Sequence, residues 1–177
     1  MTGIAPQPAA TATIALRPAT HDDVDAIMAC ERQPGYDDTV GRWSREEHLA
    51  ALAEPSHRYI VALDSGGAVI GFVILQEIAP AASAVLVRRI AALSQGRGHG
   101  RALLDHALAL IFDELGAAKA WLRVWPHNAR GMALYTKLGM REDGLSEVQR
   151  NGAPAVMTIM SIDAARYRDR KPRSETP

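Results

Sequence analysis

Three glycines alternate in the run Gln95-Gly96-Arg97-Gly98-His99-Gly100, which stands between a strand-like stretch and the most strongly patterned helix of the chain. A residue without a Cβ takes positive φ readily and lets another molecule come close to the backbone. At a helix start the first amide N–H groups lack partners within the helix, and the helix dipole adds positive potential. Strand, glycine turn and helix in that order therefore make an anion site, with Gln95, Arg97 and Arg101 as side-chain donors beside the amides. The plain alternative is a turn that only redirects the chain.

Which phosphate group such a turn would take depends on the residues around it. A nucleoside-triphosphate loop ends in Gly-Lys-Ser/Thr, whereas Gly100 is followed by Arg101-Ala102. A dinucleotide fingerprint opens the first strand-turn-helix unit and carries a G-x-G-x-x-G spacing; this turn lies mid-chain, and Gly98-His99-Gly100 runs into Arg101-Ala102-Leu103. Neither motif fits.

The flanking chain reads as alternating helices and strands. Ile14–Arg17 has strand character, and Thr20 with Asp23 three residues on caps a helix whose inner face carries Val24, Ile27 and Met28. Pro34-Gly35 ends it. Ser44 and Glu47 form a second capping pattern for a helix to Ala53. Strands follow over Arg58–Leu63 and Ala68–Glu77, joined by Asp64-Ser65-Gly66-Gly67, and a third strand covers Ala84–Ala92. After the glycine turn, Leu104, Ala107, Leu108, Ile111 and Leu115 recur at helical spacing until Gly116. Ala120–Trp125 is a strand, Asn128 caps a short helix that Gly139 stops, and Asn151-Gly152 joins a terminal hairpin.

A chain of 177 residues is long enough to bury a real core as one domain, placed here at residues 13–165 between flexible tails at 1–12 and 166–177. The formal net charge is zero and the pI is near 7.0, which gives no sign of a nucleic-acid partner. Cys30 is the single cysteine and cannot form an internal disulfide, no metal-ligand spacing occurs, and no apolar run approaches the roughly 20 residues that span a bilayer. A cytoplasmic protein, without metal or membrane, is expected.

Gln95-x-x-Gly98-x-Gly100 resembles the Q/R-x-x-G-x-G/A signature of the GNAT superfamily of N-acetyltransferases. About 30 residues on, Asn128, Ala133, Leu134, Tyr135, Leu138 and Gly139 resemble its second signature, N-x-x-A-x-x-LY-x-x-x-GF, with a shifted alanine and Met140 in place of the aromatic. The resemblance implies an α/β fold: a mixed, mostly antiparallel central sheet of six to seven strands, splayed between the fourth and fifth, with helices on both faces. It also implies acetyl-CoA as co-substrate. Its pyrophosphate would rest on the amides of residues 96 to 101, including Gly96, Arg97, Gly98, Gly100 and Arg101, and its pantetheine arm would bond to the backbone near Ile90 and Ala92 like an added strand. Small Ala91 and Ala92 leave room for it.

Tyr135 is the expected general acid, because a phenol with a pKa near ~10 keeps its proton at neutral pH and can give it to a thiolate whose thiol has a pKa near ~8.5. Asn128 combines an N-cap with a polar contact to pantetheine or acceptor. A base is harder to find: many relatives carry a glutamate on the fourth strand, where this chain has Leu86. His127 at the mouth of the gap, Glu77 on the preceding strand, or an acceptor that arrives neutral are the candidates. The segment between the first two helices carries Tyr36, Asp37, Asp38 and Trp43, a mixture suited to a cationic amine acceptor, small molecule or peptide. A non-catalytic acyl-CoA-binding module and a purely structural interaction domain are the rival readings. The terminal hairpin offers an edge at which a second copy could pair as a homodimer.

Overall fold

Along Arg58–Leu63 (β2), Tyr59 and Val61 bury on one face of the sheet while Ile60 and Ala62 bury on the other. The same two-residue alternation divides Phe72 and Ile74 from Val73 and Leu75 in Val69–Gln76 (β3). Strands apolar on both faces must be covered on both, and that requirement sets the layers. The computed structural model describes residues 14–79, 83–94 and 96–170. The expected start at Thr13 and the binding role given to Gln95 therefore lie outside the described residues.

Seven strands form one sheet in the order β1-β2-β3-β4-β5-β7-β6. Besides β2 and β3 these are Ala15–Pro18 (β1), Ala84–Ala92 (β4), Lys119–Val124 (β5), Arg141–Arg150 (β6) and Ala153–Asp163 (β7). Every neighbouring pair is antiparallel except β4 with β5. Over one face lie Val24–Glu31 (α1) and Arg45–Ala53 (α2), closing a core of Ile27, Cys30, Tyr59, Val61, Phe72 and Ile74. The other face carries His99–Ala109 (α3), Ala129–Lys137 (α4) and Ala164–Arg170 (α5) over a larger core that includes Val73, Leu75, Leu104, Leu108, Met140 and Tyr167.

The local signals act as expected where they are self-contained. Ser44 accepts from the Glu47 N–H at 3.2 Å while the Glu47 carboxylate accepts from the Ser44 N–H at 2.7 Å, which closes the capping box of α2. Asn151 and Gly152 both take positive φ, 51° and 78°, as the tight hairpin turn between β6 and β7 requires. Thr20 and Asp23 form their capping box too, on a short 3-10 turn, His21–Asp23, that leads into α1.

Two expectations are corrected. Leu115 does not continue the inner face of α3, because the helix passes into a π segment, Leu110–Glu114, in which the Leu115 N–H donates to the Leu110 carbonyl at 2.9 Å. The extra residue in that turn rotates the side chains beyond it, so Phe112 enters the core and Leu115 is left exposed. Of the tail expected at 166–177, residues 166–170 belong to α5, where Tyr167 is buried, stacks on Phe112 with ring centroids 4.7 Å apart and bonds to Asp113, and residues 171–177 lie outside the described residues. No helix among the described residues is long and apolar enough to cross a membrane.

Candidate active site

β4 and β5 pair only over Ala84–Leu86 against Lys119–Trp121. Beyond that point β5 stays with β7 as far as Val124, while β4 continues beside β3 to Ala92. The sheet therefore opens between two parallel strands, and the expected splay lies between the fourth and fifth. Two cavities meet at the opening, with Thr39, Val40, Ile90, Asn128 and Tyr135 in the walls of both.

The cavity on the glycine-turn side, of about 660 Å³, is lined by Gly96, Gly98, His99, Gly100 and Arg101 together with His127, Arg130 and Lys137. Gly96 and Gly98 hold φ of 85° and 84°, and Gly98 caps α3 in the left-handed conformation. That twist turns successive amides toward one point at the positive end of an eleven-residue helix. Nothing lies within 4 Å of where a Cβ on Gly98 would stand. Arg130 stands by the turn, its Nη2 3.6 Å from where a Gly96 Cβ would be. The Nδ1 of His99 is buried and has no partner among the described residues. An unpaired buried nitrogen, open glycine amides and three cationic side chains fit a diphosphate, so the site suits coenzyme A. Arg97 lies outside this lining, and Arg101 shares its charge with Asp105 at 3.6 Å.

Ile90 and Ala92 face the opening. The Leu93 N–H donates to Ile70 O on the β3 side at 2.8 Å, so strand alternation turns the N–H and C=O of Ala92 the other way. Those two groups are engaged: the Tyr36 hydroxyl donates to Ala92 O at 3.0 Å, and the Ala92 N–H donates back to it at 3.3 Å. Tyr36 thus stands where an extended ligand arm would bond.

Tyr135 projects from α4 at the junction of the cavities and is 8% exposed. Burial, helped by the neighbouring Tyr36, pushes its phenol up to about 12. The group accordingly keeps its proton across the whole neutral range. Asn128 caps α4, its Oδ1 accepting from the Gly131 N–H at 2.9 Å, which leaves its amide hydrogens for a ligand.

The second cavity, about 450 Å³, lies between Leu86–Ile90 of β4 and Leu122–Trp125 at the end of β5, with Gln149 and Met157 from the terminal hairpin. Its charged lining is Arg88, Arg89 and Arg123. Of the 36–43 segment, Thr39, Val40 and Gly41 line this cavity and Tyr36 lines the other, while Asp37, Asp38 and Trp43 line neither. Asp37 pairs with Arg42 at 2.5 Å and Asp38 with Arg150 at 2.7 Å, so each exposed acid has a basic partner on the surface. Trp43 packs beneath the Arg89 guanidinium, 4.6 Å from its ring centroid, and edge-on to His48. Of the candidate bases, His127 lies on the glycine-turn side, its ring 6.1 Å from Trp125, and Glu77 lines neither cavity. Leu86 is buried in the wall where an acid would have stood.

Sequence reasoning missed Glu31. Fully buried on α1, it accepts from Arg89 at 2.7 Å, from the Trp43 N–H at 3.1 Å and from Arg32 at 3.1 Å, and lies 3.1 Å from His48 Nε2. His48 Nδ1 in turn lies 3.1 Å from the Tyr59 hydroxyl. Despite its burial, the pairing with His48 and Arg89 holds the Glu31 carboxyl below the usual range. The arginines of the cavity were missed as well; only helical or strand periodicity pointed at their positions, and it says nothing of a site.

A seven-stranded mixed sheet opened between two parallel strands, with a glycine turn at one side of the opening and a buried tyrosine at its centre, defines the acetyltransferase class of fold. The acetyltransferase (GNAT) family model matches residues 22–140, and the chain belongs to that family. It is 43% identical over 63 residues to the [ribosomal protein bS18]-alanine N-acetyltransferase of Escherichia coli K12, a match covering 34% of this chain and 38% of that relative. The chain spans well under half the length of the curated relatives it matches. Among solved structures it is similar to a spermidine N-acetyltransferase of Vibrio cholerae in complex with CoA and spermine, at a TM-score of 0.74 and 25% identity, covering 87% of this chain and 97% of that one. A chimera of that enzyme with hSSAT gives a TM-score of 0.77 at 25% identity over 89% and 99% of the two chains.

Proposed function

We propose that this protein is an acetyl-CoA-dependent N-acetyltransferase that moves the acetyl group to a primary amine by direct attack, with Tyr135 as general acid. The observation that carries the reading is the position of Tyr135 at the meeting point of two cavities on either side of the splayed strands. One suits a diphosphate and its thioester arm; the other opens to an acceptor. The co-substrate supplies an acyl group already activated as a thioester, so the protein has to position two reactants and manage two protons.

A neutral amine in the 450 Å³ cavity would form its C–N bond to the acetyl carbon as the C–S bond breaks. The Tyr135 hydroxyl gives its proton to the departing sulfur, and the proton lost from the amine nitrogen restores the phenol through water. Asn128, with its oxygen held by Gly131, keeps its amide hydrogens toward the arm. Since Leu86 leaves no carboxylate on the wall, the amine has to lose its ammonium proton as it enters. Family membership and N-acetyltransferase neighbours support transfer to amines.

The test is calorimetry with coenzyme A followed by thiol release from acetyl-CoA across a panel of amines. Association with coenzyme A and acceptor-dependent thiol release are expected. Binding without turnover on any amine would favour a non-catalytic acyl-CoA-binding module instead.

A further inference from the structure

The cavity on the acceptor side is lined by three arginines, Arg88 and Arg89 of β4 and Arg123 of β5, and β4 is distorted at the first of them. Ile74 pairs with Arg89 and Leu75 with Val87, so Arg88 is an extra residue inserted into the strand. A β-bulge interrupts the alternation of side chains and re-aims the inserted one. Arg88 and Arg89 stand at that bulge, within the run Leu86–Ile90 that lines the cavity.

Arg89 is compensated by Glu31 at 2.7 Å. Arg88 is not, and neither is Arg123, which reaches the cavity from β5; among the described residues neither has a carboxylate within 4.0 Å. Arg88 lies 5.8 Å from the Trp43 ring centroid and Arg123 5.3 Å from that of Trp121. Arg88 is exposed, but partial desolvation at the cavity wall and repulsion from Arg123 push its guanidinium down, with Glu77 opposing the shift. Among the described residues no Asp or Glu lines the cavity, and Asp37 and Asp38 are paired with Arg42 and Arg150.

A polycation entering this space would meet two unneutralised positive charges and no acid to receive it. An anionic group would meet two donors built to hold a carboxylate. The same field disfavours an ammonium, and so helps an amine to become neutral in a wall that has no base. That help suffices only for an amine of low basicity. At pH 7 an α-amine with a pKa near ~8 is neutral in roughly one molecule in ten, whereas a lysine-type amine near ~10.4 is neutral in roughly one in 2,500.

We propose, resting on the reading of this site as an N-acetyltransferase, that its acceptor is an α-amine whose molecule also carries a carboxylate, held by Arg88 and Arg123 while the amine faces Tyr135. Arg88 and Arg123 are then specificity-determining residues, and polyamines are poor acceptors despite the likeness of the fold to spermidine N-acetyltransferases.

The experiment pairs turnover with binding. Thiol release is measured with the peptide Ala-Glu-Ala-amide, its neutral counterpart Ala-Gln-Ala-amide, free glutamate and spermidine; binding of the two peptides to the enzyme loaded with coenzyme A is followed by calorimetry. The acidic peptide is expected to exceed the neutral one by at least about tenfold in both kcat/KM and affinity, and spermidine to fall below both. Activity on free glutamate equal to that on the acidic peptide would identify an amino acid as the source of the paired groups; preference for the peptide would identify a chain terminus. In Arg88→Gln and Arg123→Gln the acidic preference shrinks toward unity, while coenzyme A affinity and melting temperature hold. Equal affinity for the two peptides, or spermidine as the better acceptor, overturns the inference and leaves the acetyltransferase reading standing. Failure of coenzyme A to bind at all overturns both.

Discussion

The Tyr36 hydroxyl closes on the backbone of Ala92, donating to its carbonyl at 3.0 Å and accepting from its N–H at 3.3 Å. These are the strand groups that face the splay, so a ligand arm that bonds to Ala92 has to displace the phenol. Tyr36→Phe removes the competitor and is expected to raise coenzyme A affinity by about threefold, on the scale of one net hydrogen bond. Calorimetry decides it; weaker binding would show that the Tyr36 hydroxyl itself holds the ligand.

Gly98 and Gly152 take nearly the same positive φ, 84° and 78°, and neither has a neighbour where a Cβ would stand. Alanine at either position is therefore expected to cost about 1 kcal/mol of backbone strain and a few degrees of melting temperature. Only Gly98→Ala puts its methyl group into the diphosphate cavity, and its coenzyme A affinity should fall by about tenfold or more. Equal effects of the two variants on ligand affinity would remove the turn from the binding site.

Tyr135→Phe is expected to lower kcat by about 10²-fold with coenzyme A affinity unchanged. Because burial pushes this phenol up to about 12, it stays protonated wherever the enzyme folds well. The rate should accordingly rise with pH as the amine loses its proton, and show no falling limb from Tyr135 below pH 11 or so. A descending limb near pH 9 that vanishes in Tyr135→Phe would contradict the role of burial.

Glu31 is the counter-ion of Arg89 and lies 3.1 Å from His48 Nε2 inside a buried cluster. Glu31→Gln keeps the volume but leaves the Arg89 guanidinium without its counter-ion. Urea unfolding should show a loss of about 3 kcal/mol with an unchanged m value. A loss under 1 kcal/mol would mean that solvent reaches Arg89 freely.

Asp23 accepts from Arg17 at 2.7 and 2.8 Å, and that bonding lowers its pKa from 3.8 to about 2. A depressed acid stabilises the fold fully above its unfolded value and loses that contribution as pH falls through the folded one. The contribution is of order 1 kcal/mol once the half-exposed Arg17 is allowed for, and it should disappear between pH 4 and about 2. Acid titration of stability for Asp23→Asn, compared with the parent, should lack that slope.

The elements legible in the sequence are those whose signals are complete within a few neighbouring residues. Ser44 and Glu47 answer each other across one turn, Asn151-Gly152 needs only its own dihedrals, and the glycine turn sits between strand and helix as its spacing implies. The partners of the 36–43 segment were less legible: Asp37 meets Arg42 five residues on, but Asp38 meets Arg150 across 112 residues and Trp43 meets Arg89 on β4, contacts that no local pattern announces. Leu115 was misplaced because a π turn depends on how the helix end packs, not on the spacing of apolar residues.

By itself, then, the chain order of residues settled the strand-turn-helix unit around Gly96–Gly100, the capped helices and the tyrosine that follows Asn128, since each is governed by local dihedrals and hydrogen bonds. What only the folded sheet decided was the electrostatic character of the space beside Tyr135. Charges add over distances of several ångströms in three dimensions, and the bulge at Arg88, the approach of Arg123 and the burial of Glu31 exist only once β4 has paired with β3, parted from β5 and been covered by α1.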